Sequence, residues 1–140
     1  MNNQLLISMG VAIVIVGVLI FVSISLTSRR SHKFNREKYQ SDFLAIENSL
    51  EKDNRASYSM ALISADKLLD RALFETGVSG KTMGDRLKKT SDKFTELNSV
   101  WYAHKLRNRI AHEPGFSIEY SAARHALAVY KQALQDLGAI

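Results

Sequence analysis

Apolar residues follow two regimes along this chain. Leu5 to Leu26 is an almost unbroken run of Leu, Ile, Val, Met, Ala, Gly and Phe, interrupted by three serines. A helix needs about 20 apolar residues to cross a hydrocarbon core of roughly 30 Å. The pattern therefore predicts a transmembrane helix within residues 1–28. From Phe34 onward the apolar positions recur at spacings of three and four, one face of a helix. Tyr39, Phe43, Ile46 and Leu50 predict a first helix, after which Asp53 and Asn54 break the stripe and can cap the next one. Tyr58, Leu62, Ala65, Leu69, Ala72 and Leu73 predict a second, ended by Gly77. Residues 77–81 form a loop. Thr82 caps a short third helix with Asp85 in its first turn. A fourth helix is expected from Thr95 to His112, stopped because Pro114 disfavours helical geometry at Glu113. Ser117 is expected to cap a fifth, carrying Tyr120, Ala123, Leu127, Tyr130, Leu134 and Leu137.

These elements predict an all-α protein: an N-terminal membrane helix followed by a four- to five-helix up-and-down bundle over residues 39–140. Alanines on the second and fifth stripes let helices approach closely and make dimerisation attractive. A cleavable signal peptide fits the first run less well. No basic residue precedes it, it is too long, and no small-residue cleavage site follows.

Charge refines this picture. The 140 residues hold 19 Lys+Arg and 14 Asp+Glu, but none from Met1 to Ser28. Residues 29–38 form a basic collar of Arg29, Arg30, Lys33, Arg36 and Lys38 against one acid, Glu37. Residues 39–140 are nearly balanced. Positive flanks stay in the cytoplasm, so the expected topology is a single-pass cell-membrane protein. Its N-terminus lies outside, residues 5–27 contact the lipid bilayer, and the domain is cytoplasmic. The absence of cysteine excludes a disulfide framework, a Cys-ligated metal and a thiol nucleophile. No cofactor and no metal are expected. His125 lacks a second ligand at i+4, and His104 and His112 are two turns apart.

Two local patterns suggest chemistry. Gly77 to Thr82 ends in Gly80-Lys81-Thr82, as a phosphate-binding loop does. That loop needs four residues between its glycines and a preceding strand; here there are two, after a helix. The segment is a helix stop followed by a helix start. The fourth helix is more informative. At about 100° per residue, Leu97, Val100, Trp101, Ala103, Leu106 and Ile110 share one arc, and His104, Arg107 and Asn108 fall inside it. His112 lies at its edge. Polar groups facing a core must be hydrogen-bonded or line a cleft. Structural roles are available: Arg107 can pair with Asp66 or Asp70, and His112 can cap the helix C-terminus.

The segment Trp101 to Glu113 also resembles the signature of the HEPN superfamily of small helical domains. Arg107 is followed by Asn108, and four residues separate Arg107 from His112. The resemblance extends over roughly residues 40–138. It implies a bundle that pairs as a homodimer, bringing two motif copies into one cleft. Many members are metal-independent ribonucleases; others keep the fold for binding. The resemblance implies His112 as general acid or base, Arg107 as phosphate ligand, Asn108 as orienting residue and His104 as auxiliary, acting on RNA. Arg107 and His112 sit about 140° apart on an ideal helix. Their convergence needs a frayed end or the dimer mate. The alternative is a non-catalytic, membrane-tethered interaction module for an unidentified protein partner.

Overall fold

The computed structural model describes residues 3–27 and 33–140, with side chains for residue 4 and residues 7–22 and 33–140. Every regular element among the described residues is helical: α1 (Asn3–Thr27), α2 (Arg36–Asn48), α3 (Arg55–Glu75), α4 (Met83–Leu87), α5 (Leu97–His112) and α6 (Tyr120–Asp136). The chain divides into two compact units, Met1–His32 and Lys33–Ile140.

The first unit holds α1. Its large apolar side chains, among them Ile7, Ile13, Leu19 and Phe21, are exposed. Among the described residues no helix is long and apolar enough to cross a membrane. This corrects the expected transmembrane anchor at 1–28. The single-pass cell-membrane location, the outside N-terminus and the bilayer contact through residues 5–27 go with it. Arg29 and Arg30 of the expected collar lie outside the described residues. The described part of the collar begins the second unit: Phe34 is buried, Asn35 caps α2 by accepting from the Lys38 N–H, and Arg36 and Lys38 lie in the first turn.

The second unit is a helical bundle centred on α3, which packs against α2, α4, α5 and α6. Leu62, Leu69 and Leu73 of α3 share one core with Tyr130 and Leu134 of α6, all essentially inaccessible to water. Ala61, Ala65 and Ala72 on α3 and Ala123, Ala126 and Ala133 on α6 are buried too. Such small side chains let two backbones approach. Arg71 ties α2 to α3, donating to Asp42 at 2.7 Å and to the Tyr39 hydroxyl at 3.3 Å. Burial is the main reason the Tyr39 phenol is pushed up from its ordinary value.

Helix ends follow local chemistry closely. Gly77, at φ 79°, takes the left-handed conformation after α3. The Gly77 and Val78 N–H groups then bond back to the Phe74 and Leu73 carbonyls, a Schellman motif. Thr82 and Asp85 form a reciprocal capping box on α4. Glu113, before Pro114, is extended and ends α5. Two starts differ from expectation. The α6 cap is Glu119 rather than Ser117, because Ile118 is drawn into the core. The α5 helix begins at Leu97 rather than Thr95. There the Thr95 N–H and hydroxyl donate to Asp136 at 2.8 and 3.0 Å, joining the end of α6 to the start of α5.

The Asp136 carboxyl titrates below the usual carboxylate range. Burial opposes this, but the donors from Thr95 and the Gln132 amide outweigh it. A depressed folded-state value means the contribution is complete above the unfolded value near ~3.9 and is lost as pH falls through the lower folded value. Wild-type stability will therefore fall on acidification below about pH 4. Asp136→Asn will be less stable near neutrality and show a shallower acid limb in denaturant titrations. Identical acid limbs would contradict this link.

Gly80 shows why the loop before α4 contains glycine. A Cβ there would lie 2.9 Å from Asp85 Cβ and 3.1 Å from the Arg86 backbone nitrogen. The glycine serves close packing against α4 rather than a phosphate. Gly80→Ala will cost about 1–3 kcal/mol, the range of overpacking. It should be visible as a lower melting temperature, and an unchanged melt would refute the clash.

Candidate functional site

On α5, Val100, Ala103 and Leu106 face the core, while Lys105 and Arg109 face water. His104, Arg107 and Asn108 project between these faces toward α3. The neighbour they meet is Asp66, only 4% exposed in the middle of the α3 stripe. A carboxylate so buried must be fully partnered.

The partners form a closed ring. Asp66 Oδ1 accepts from the Tyr130 hydroxyl at 2.9 Å and from His104 Nδ1 at 2.8 Å. The Asn108 amide donates to His104 Nε2 at 3.2 Å, and its oxygen accepts from Arg107 Nη1 at 3.1 Å. Arg107 Nε returns to within 3.4 Å of Asp66 Oδ2. That last approach is an ion pair without hydrogen-bond alignment, which leaves the buried Nε without a hydrogen-bond partner.

The ring fixes its own proton positions. Arg107 can only donate, so the Asn108 oxygen faces it and the Asn108 NH2 faces His104. His104 Nε2 is then an acceptor and its Nδ1 carries the proton given to Asp66. Burial and the adjacent Asp66 carboxylate push the Tyr130 phenol far above its ordinary value, so it stays a donor.

Of the two carboxylates open to Arg107, the structure selects Asp66. Asp70 instead takes the buried Arg86 at 2.7 Å. Asn108 is committed to His104 and Arg107 rather than to His112. His104, 8% exposed, is an inner member of the ring. His112 is exposed in the last turn of α5 and has no hydrogen-bond partner among the described residues. Arg109 and Glu113 make a surface pair at 3.0 Å, and Arg109 also lies 4.0 Å over the Phe116 ring.

All four α5 residues, His104, Arg107, Asn108 and His112, nevertheless line one open cleft of about 870 Å³ between α3, α4 and α5. One copy of the chain therefore brings Arg107 and His112 to the same hollow despite their angular separation. Lys67, Lys88 and Lys105 stand exposed around it. Its three carboxylates are engaged elsewhere: Asp66 in the ring, Asp70 with Arg86 and Asp85 in the capping box. The hydrogen bonds from Thr82 hold the Asp85 carboxyl below the usual range. Lys67, Lys88, Lys105 and Arg107 stand against Asp66, Asp70 and Asp85, so the lining keeps a small positive excess.

Sequence reasoning did not single out Tyr130 as a polar partner, nor Lys67 and Lys88 as cleft residues. Asp66 carried a usable signal, since it interrupts the apolar stripe between Leu62 and Leu69. The lysines carried none, because exposed cations on helices are common. No protein-family model, curated protein or solved structure matches the chain.

Proposed function

We propose that residues 33–140 form a HEPN-like domain that binds RNA in the α3–α5 cleft and cleaves it without a metal ion. One observation carries the reading: Arg107, Asn108, His104 and His112 line a single open cleft whose rim is supplied by three lysines. Arg107, steadied by Asn108 and Asp66, takes the scissile phosphate. His112 removes the proton from the ribose 2′-OH, whose oxygen attacks the adjacent phosphorus. The bond to the 5′ oxygen breaks, and that oxygen takes a proton from a second imidazole, His112 of the partner copy in a homodimer. Imidazole suits both roles at neutral pH.

The test is incubation of the full chain with RNA in EDTA. The expected products end in a 2′,3′-cyclic phosphate, while DNA and 2′-O-methyl RNA of the same sequence stay intact, because both lack the attacking hydroxyl. A non-catalytic interaction module is the second reading. The ring favours it, since the mutual contacts of Asp66, His104, Asn108, Arg107 and Tyr130 serve packing whether or not RNA binds. RNA left uncut by a folded protein would support the second reading over the first.

A further inference from the structure

Beside the cleft lies a second hollow of about 540 Å³, lined by Asn98, Trp101, Tyr102 and Lys105. It shares Trp101 and Lys105 with the cleft, so the two hollows adjoin at these side chains of α5. Tyr102 is 58% exposed, although large aromatic side chains are normally drawn inward. Its ring makes no aromatic contact and its hydroxyl no hydrogen bond among the described residues. Trp101 is half-buried, its ring edge-on to His104 at 6.0 Å, so its orientation is coupled to the Asp66 ring. Lys105 is exposed where the two hollows meet.

We infer that Trp101 and Tyr102 form a nucleobase subsite next to the phosphate cleft, with Lys105 holding the phosphate between the two and Asn98 facing the base edge. This inference rests on the RNA reading above. Single-stranded nucleic acids are held by a cationic track interleaved with aromatic faces on which bases stack. Here the cationic hollow and the aromatic hollow share two residues. An apolar protein segment would gain nothing from the Lys105 charge, and a bare anion would gain nothing from the aromatic faces of Trp101 and Tyr102. Asn98 offers both a donor and acceptors, which suits a base edge.

Trp101 is the one tryptophan in the sequence, so intrinsic fluorescence reports directly on the subsite. The full chain is titrated with a short single-stranded 2′-O-methyl oligoribonucleotide, which cannot be cut by 2′-OH attack. It is also titrated with an abasic oligomer of the same backbone and length. The base-bearing oligomer should quench Trp101 and bind about tenfold more tightly than the abasic one, the scale of one stacked base. Tyr102→Ala, a change at an exposed position, should remove most of that advantage and leave abasic binding unchanged. Equal affinities without quenching would overturn the subsite while the phosphate cleft stands. Equal weakening of both oligomers by Tyr102→Ala would also overturn it, because the ring would then act through the cleft or through a contact between copies. Binding of neither oligomer would overturn the RNA reading and the subsite together.

Discussion

Asp66→Ala will lower the melting temperature by roughly 15 °C or more, the largest stability loss expected of any polar substitution in this domain. Removing one partner of a buried charged network costs about 3–5 kcal/mol, and in a domain of this size each kcal/mol moves the melt by about 4–8 °C. The loss is large because three side chains on two other helices depend on one carboxylate. Without it the Tyr130 hydroxyl and His104 Nδ1 lose their acceptor inside the bundle, and Arg107 keeps a charge with no counter-ion. Asp66→Asn should cost less, since an amide oxygen in place of Oδ1 still accepts from Tyr130 and His104, although its NH2 then faces Arg107. Thermal melts of the two variants beside Tyr130→Phe give the check. A small loss for Asp66→Ala would mean that water replaces the ring.

His112→Ala will reduce RNA cleavage in EDTA by about 10²–10⁴-fold, the usual contribution of a positioned acid or base. It will leave the melt within about 2–4 °C, because substitution of an exposed side chain outside a network changes stability by about 0.5 kcal/mol at most. Arg107→Ala should abolish cleavage and also lower the melt, because the proposed phosphate ligand is also a member of the ring. The contrast separates chemistry from folding. His112 is the α5 candidate that makes no hydrogen bond among the described residues, so its loss bears on catalysis far more than on the ring. Cleavage undiminished in His112→Ala would remove it from the mechanism, and the general base would have to be sought elsewhere in the cleft.

The punctuation of this chain was legible residue by residue. Gly77, Thr82 and Pro114 end or begin helices through contacts within one or two turns, and each acts where its own chemistry requires. The polar trio on the fourth predicted stripe was also visible, because periodicity alone puts His104, Arg107 and Asn108 on a face that apolar residues otherwise occupy. The uncharged run at the N-terminus was legible as a helix, and α1 spans Asn3–Thr27. The inference from that run to a membrane crossing is the one the structure corrected.

Other features depended on distant partners. His104 meets a carboxylate 38 residues away, and that carboxylate meets Tyr130 across 64 residues. Thr95 leaves its expected helix to serve Asp136, 41 residues on. Ile118 moves the start of α6 by being buried. The sequence by itself determined the helices, their stops and the misplaced polar face, because those depend on neighbours within about a turn of one another. The tertiary structure alone decided that Asp66, not Asp70, receives Arg107, and that His112 is left facing the cleft. Those choices depend on which helices pack together, and no local spacing encodes which distant side chains the packing brings into contact.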